Sequence, residues 1–500
     1  MYAVKKRAPI NPTRMITASF LAVILTGTLL LCLPISSKAR EFTSLLDCLF
    51  TATSATCVTG LIVYDTYTHW SLFGQGVIMA LIQVGGLGLV TFTSFFSLVT
   101  GKKLGLRGMK LASESVNSNS LSEVPDLLRM IITFTLTVEA IGAVLLGIYF
   151  VPEYGMMGVF ISVFLAVSAF CNAGFDNLGF LGEYTSLTTF NDNYLVIFTI
   201  MALIVIGGLG FVVWNDLMAY RKTRVLLLHT KIVLMVTIFL ILFGALGYLG
   251  LEWDNEKTMQ ALDMKGKIGA AFMQSITMRT AGFNSIDLYS MTDAAKVFSV
   301  VLMFIGAAPG STGGGIKVTT TAVIIMTAVS IIRGREEPYM LKRRIAASVV
   351  YRSLAIMFLG VVVVGTTTMI LMATSPLGQN ALTGLDATFE AVSGFATVGV
   401  SSGVTAVSTP ISKIALILSM YIGRGGSDYP LQARAPAARS SCRRAKLSWA
   451  KNSLQKGAGR LPFFAPVFGE KNFEKNGNQF LCRDDIQIEG QTQAVTASAS

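Results

Sequence analysis

The sequence predicts an all-α polytopic membrane protein in which one unit is repeated four times: a span, a short helix, a glycine-bearing strip and a second span. Three observations predict it. The 500 residues are 52% hydrophobic and only 14% charged, with a mean hydropathy of +0.61, where a soluble domain carries roughly 25% charged residues. Strips of small, hydroxyl-bearing residues ending in glycine recur at a nearly constant spacing. The basic residues gather in the loops between the repeats.

The apolar runs set the spans. Residues 15–34, "MITASFLAVILTGTLLLCLP", match the length of about 20 residues that a bilayer crossing takes. No small-residue cleavage site ends this run as it would a signal peptide. Comparable runs open the other units at about 128–151, 231–250 and 347–373. A piece of about a dozen residues follows in each, at 44–55, 157–170, 266–277 and 382–392. A second long run closes each unit, at 72–98, 194–218, 296–330 and 410–423.

Between short piece and second run lie the strips: "SATCVTG" ending at Gly60, "SAFCNAG" at Gly174, "TMRTAG" at Gly282 and "SGFATVG" at Gly399. The glycines are 114, 108 and 117 residues apart. A second glycine cluster follows at offsets of 25, 33, 24 and 24, beginning at Gly85, Gly207, Gly306 and Gly423. Four motifs in phase mark an internal repeat.

Charge fixes the crossings. Basic loops lie at 101–110, 221–231 and 333–344, and the N-terminus carries Lys5, Lys6, Arg7 and Arg14. All belong in the cytoplasm by the positive-inside rule, so each unit crosses an even number of times and its short piece dips in and returns outside. This divides the chain into a cytoplasmic N-terminus (1–13), repeat 1 (14–100), a linker (101–125), repeat 2 (126–219), a linker (220–230), repeat 3 (231–332), a linker (333–345), repeat 4 (346–424) and a tail (425–500).

Non-helical backbone at membrane depth is tolerated where protein buries it or where it lines a water-filled cavity. Four strips around one axis make such a cavity, with carbonyls and Thr hydroxyls in place of a cation's hydration shell. Glycine supplies backbone angles that cost other residues, and the C-termini of the short helices favour positive charge. Tight helix packing by small residues is the competing reading, but it needs neither a preceding short helix nor a fixed phase.

At these residues the chain resembles the membrane subunits of the Trk/Ktr/HKT potassium transporter superfamily, the Ktr type most, over about residues 12–424. The resemblance implies a pseudo-tetrameric, potassium-channel-like pore. Its selectivity filter and potassium sites would be Thr56, Cys57, Val58, Thr59 and Gly60; Cys171, Asn172, Ala173 and Gly174; Arg279, Thr280, Ala281 and Gly282; and Ala396, Thr397, Val398 and Gly399. Glycine at the first of these strips goes with potassium in that family, whereas some plant relatives carry serine and conduct sodium. The resemblance further implies a homodimer in the cell membrane, a cytosolic ring of nucleotide-binding (RCK/KTN-type) regulatory subunits, no cofactor in this chain, and sodium as an activator of potassium flux left open.

The stretch "GAAPGSTGGGIK", 306–317, breaks the longest apolar run, and its glycines and proline would end any helix. An intramembrane gating loop fits, with Gly306, Gly310, Gly313, Gly314, Gly315 and Lys317; a short cytoplasmic turn would spoil the parity of the basic loops. Lys317 reads as a positive group beside the ion path or as a snorkelling lysine. Arg424 stands where the family carries a pore-facing arginine, against the reading of a helix-end arginine reaching solvent. Glu139, Arg279 and Glu390 are further ionisable groups at membrane depth, the last two read as partners holding the filter. Asp176, just past the second strip, is placed to draw cations to the outer mouth.

The rest narrows the class. The net charge of +12 lies in loops, so it reads as an orientation signal and not as a nucleic-acid face. Six cysteines and two histidines show no metal spacing, and neither a phosphate-binding GxxxxGK[ST] motif nor a catalytic constellation is present; the chain reads as no enzyme. The runner-up is a secondary transporter with a broken-helix midplane site, whose inverted halves fit four same-phase repeats worse. Residues 425–500 lose all apolar periodicity and are expected to be disordered. The abrupt change points to a reading-frame shift in the source sequence after about Arg424, leaving repeat 4 truncated.

Overall fold

The computed structural model describes residues 12–88, 91, 94, 124–334, 339–340, 343–374 and 383–426. All described residues belong to one compact unit, which lies within Met1–Ala433. The expected N-terminal segment up to residue 11, most of the 101–125 linker and the tail beyond residue 426 lie outside the described residues.

Repeat 1 runs α1 (Pro12–Leu31), α2 (Leu45–Cys57), a one-turn α3 (Thr66–His69) and α4 (Leu72–Leu87). Repeat 2 holds α5 (Val124–Phe170), α6 (Tyr194–Gly208) and α7 (Phe211–Thr223). Repeat 3 holds α8 (Leu228–Glu252), α9 (Met264–Thr277), α10 (Asp293–Phe304) and α11 (Val318–Ile332). A two-residue hairpin, β1 (Tyr339–Met340) with β2 (Arg343–Arg344), leads to repeat 4: α12 (Ala347–Thr374), α13 (Gly384–Ala396) and α14 (Pro410–Gly426). Among the described residues α5, α8 and α12 are each long and apolar enough to cross a membrane, and α6 with α7 makes one bent candidate.

α5 is two helices in one run. Gly155 breaks it at φ 57°, ψ −133°, a conformation open to glycine, and turns the first span of repeat 2 into its short helix. The chain doubles back so tightly that a Cβ on Gly158 would enter the Phe150 carbonyl. The short helices of repeats 3 and 4 start on side-chain caps. The Asp263 carboxylate accepts from Gly266 N at 2.6 Å, and Thr383 with Asp386 closes a capping box.

The single run expected over 194–218 is instead broken. α6 and α7 meet at 91° because Gly210 takes φ 89° and Phe211 N donates 2.9 Å to the Gly310 carbonyl. The loop of repeat 3 occupies the ground a straight helix would need.

Ion pairs repeat with the fold. Lys296, fourth residue of α10, reaches Asp386 of α13 at 2.7 Å; Lys413, fourth residue of α14, reaches Asp47 of α2 at 2.6 Å. Both aspartates stand 13 residues before their strip glycine, so the two pairs join repeat 3 to 4 and repeat 4 to 1 in the same way. The corresponding positions of repeats 2 and 3 hold Ile161 and Gly269, and beside Gly269 a groove of about 700 Å³ opens between α6 and α9. Breaking a buried pair by removing one partner costs about 3–5 kcal/mol. Lys296→Met is therefore expected to lower the thermal midpoint of the detergent-solubilised protein sharply, and the double change Lys296→Met with Asp386→Asn, which removes the buried charge but keeps an acceptor for Thr383, to recover much of the loss.

Candidate ion pathway

The four strips share one backbone. The residue two before each glycine is left-handed, Val58 at φ 58°, Asn172 at 60°, Thr280 at 77° and Thr397 at 51°. The glycines follow at 98°, 72°, 86° and 89°. The strip N–H groups turn back onto the short helices: Thr59 N donates to the Ser54 carbonyl, Ala173 N to Ser168, Ala281 N to Thr277 and Val398 N to Ser393, at 2.8–3.0 Å. Serine six residues before the glycine adds a second hold, Ser54 Oγ accepting from Gly60 N and Ser393 Oγ from Gly399 N, both at 3.1 Å. The carbonyls of Val58, Thr59, Asn172, Ala173, Thr280, Ala281, Thr397 and Val398 accept no hydrogen bond among the described residues.

The glycines form a closed ring. A Cβ on Gly60 would lie 2.5 Å from the Ala173 carbonyl oxygen, one on Gly174 would lie 2.8 Å from that of Ala281, and one on Gly282 would lie 2.8 Å from that of Val398. One on Gly399 would enter that of Thr59. Each strip thus abuts the carbonyl just before the next strip's glycine, in the order 1–2–3–4–1. All the sequence-predicted filter residues are buried here, from Thr56 to Gly60, Cys171 to Gly174, Arg279 to Gly282 and Ala396 to Gly399. The hydroxyls of Thr56, Thr59, Thr280 and Thr397 have no hydrogen-bond partner.

The second glycine clusters have a structural reason that the spacing does not give. A Cβ on Gly85, Gly207 or Gly423 would collide with the carbonyl of Thr56, Phe170 or Phe395. Each of those carbonyls lies four residues before its strip glycine. In repeat 3 the counterpart Gly306 begins a loop instead, its N–H donating 2.8 Å to Ile316 O.

That loop underlies the strips. A Cβ on Gly313 would strike Thr280 Oγ1, and one on Gly314 would strike Thr397 Oγ1. Gly310 and Gly315 take φ 69° and 67°. Thr312 Oγ1 donates 3.1 Å to Asn172 Oδ1. Lys317 is buried and bonds the Gly313 carbonyl at 2.8 Å, so it pins the loop and does not snorkel. Arg424 turns inward: its guanidinium donates 2.7 Å to the Gly85 carbonyl and also to that of Thr312. Inside the bundle it joins α14, α4 and the loop.

The TrkH family, cation transport proteins, matches residues 4–435. The chain belongs to that family. The potassium/sodium uptake protein NtpJ of Enterococcus hirae is 37% identical over 425 residues, 85% of this chain and 92% of the relative. The Ktr system potassium uptake proteins B of Bacillus subtilis and Vibrio alginolyticus are 38% and 40% identical, covering 83% of this chain and 91% and 89% of theirs. The crystal structure of the potassium transporter TrkH from Vibrio parahaemolyticus shares the fold at a TM-score of 0.61 and 17% identity, over 87% of each chain.

Behind the strips of this TrkH-family chain lie polar groups whose partners the sequence leaves unassigned. Arg279 is buried, with Nη1 and Nη2 3.5 and 3.4 Å from the Thr237 carbonyl and hydroxyl. Glu390 fastens the outer segment after strip 4, accepting from Ser401 Oγ at 2.7 Å, Ser402 N at 3.2 Å and Thr405 N at 3.1 Å. Gln83 and Asp65 carry no motif, so sequence reasoning missed them, and Thr312 lies in the expected loop but was not singled out there. Asp65 accepts from Tyr67, Thr68 and Tyr184 backbone N–H groups, tying the outer loops of repeats 1 and 2.

Asp176 lies beyond the second strip, and burial, with Asp65 nearby, pushes its carboxyl up to about 6. Its negative charge is therefore present above that pH and lost as external pH falls through it. A unit charge about 10 Å from a cation contributes ~0.4 kcal/mol in bulk water and ~1.7 at an effective dielectric of 20. The cation concentration for half-maximal uptake is expected to rise about two- to twentyfold between external pH 7.5 and 5, and Asp176→Asn to flatten that profile.

Proposed function

We propose that this chain takes up potassium across the cell membrane through a filter formed by the four strips. The ring of strips carries the reading: carbonyls without partners converge where four buried Thr hydroxyls also lack them. An unsatisfied buried hydroxyl costs about 1–3 kcal/mol, and coordination of a dehydrated cation offsets that cost. The relatives at 38–40% identity are potassium uptake proteins and the one at 37% is a potassium/sodium uptake protein, and uptake is downhill, at about 2.3 kcal/mol per charge per 100 mV in a cell negative inside. Potassium is cargo here, not a resident metal.

The same reading makes 306–317, with Arg424, the gate beneath the filter, puts the N-terminus in the cytoplasm, and gives the chain a homodimeric state with a cytosolic nucleotide-binding regulatory ring. Expression in a potassium-uptake-deficient bacterium tests it. Growth on limiting potassium, strengthened by a co-expressed regulatory subunit, is the expected result. Absence of growth with the protein present in the membrane would count against it.

A further inference from the structure

We infer that Glu139, held by Gln83, is a positioning residue for the second filter strip and sets its preference between potassium and sodium; this rests on the uptake reading above. Three segments from two repeats meet at Glu139. It lies on the first span of repeat 2, within the apolar part of α5, and is 6% exposed. Its Oε2 accepts from Gln83 Nε2 of α4 at 3.2 Å, and its Oε1 lies 3.8 Å from Cys171 Sγ. Cys171 Sγ is also 3.9 Å from Gln83 Oε1, closing a ring of three side chains. No cation pairs with Glu139 among the described residues. A carboxyl at membrane depth is costly and marks function more often than packing.

Cys171 is a strip residue, so whatever holds it holds the filter. The next residue, Asn172, is the left-handed one, and its Oδ1 accepts from Thr312 of the loop below. One turn along α4, a Cβ on Gly86 would lie 2.6 Å from Cys171 Sγ, so the second span of repeat 1 presses directly on this strip.

Repeat 3 shows that the position matters. There Thr237, on the first span, bonds Arg279, which like Cys171 stands three residues before its strip glycine. Two repeats therefore brace the same strip position from the same span with different chemistry. The amide of Gln can make the contacts that the carboxyl of Glu139 makes; a leucine cannot.

The experiment reads potassium and sodium flux in proteoliposomes holding the full chain, its E139Q, E139L and Q83L variants, and the regulatory subunit. The parent should prefer potassium. E139Q should stay within about threefold of the parental ratio, whereas E139L and Q83L should lose about tenfold, the order expected for one lost buried hydrogen bond. If E139L is absent from the membrane, Q83L, which leaves the acid in place, carries the comparison with E139Q. Parental selectivity in E139L or Q83L would overturn the inference and leave the uptake reading intact, as would an E139Q as impaired as E139L. A parent that conducts neither ion would overturn both.

Discussion

Gly399→Ala should abolish most potassium uptake while the protein remains in the membrane. Two costs coincide at this residue. Its φ of 89° is one that side-chain-bearing residues rarely adopt, and the new methyl would enter the Thr59 carbonyl and lie 2.7 Å from Gly60 Cα. The obstruction is backbone of another strip, held by Ser54 and its own short helix, so it has nowhere to move without misaligning the ring. Strain of this kind is worth about 1–3 kcal/mol per residue, and displaced at the filter it predicts uptake about ten- to a hundredfold below the parent. Gly403 supplies the control. It sits four residues on at φ 98°, with nothing within 4 Å of its would-be Cβ, so Gly403→Ala bears the backbone strain alone and should keep most of the flux. Equal loss in both variants would mean that handedness, not the ring contact, is the requirement.

The difference between those glycines separates what the sequence could show from what it could not. The strips and short helices were legible because they repeat: the phase of Gly60, Gly174, Gly282 and Gly399 marked both the unit and its order. The break at 306–317 was legible too, since no helix runs through that composition. The bend between α6 and α7 was not. "IVIGGLG" and "IQVGGLG" read alike, and only the Gly310 carbonyl, about a hundred residues further on, turns one at 91°. Lys413 and Asp47 are 366 residues apart, and Lys296 and Asp386 are 90 apart. Nothing local announces such partners, although each pair occupies equivalent points of the repeat. Polar braces fail for the same reason. Gln83 is one amide in an apolar helix until α5 and strip 2 fold against it.

Arg424→Ala should raise the potassium flux, the opposite of most losses at a conduction site. An arginine at membrane depth costs about 2.5–3.5 kcal/mol on insertion scales, so its retention inside the bundle argues for a task. Its guanidinium reaches the Gly85 carbonyl at 2.7 Å and the Thr312 carbonyl of the loop that touches the strips. It thereby places positive charge beneath the strips and ties the loop to α4. Repulsion and tether both oppose an outgoing cation. At an effective dielectric of 20, a charge about 10 Å from the ion contributes ~1.7 kcal/mol, so removing it should raise flux by about ten- to twentyfold. Arg424→Lys separates the two effects, because lysine keeps the charge but not the planar fork that spans two carbonyls. Parental flux in the lysine variant would assign the barrier to charge, and flux as high as the alanine variant's would assign it to the tether. A flux in Arg424→Ala no higher than the parent's, with the protein folded, would exclude Arg424 from gating. The loop would then have to be held shut by Lys317 on the Gly313 carbonyl and Thr312 on Asn172.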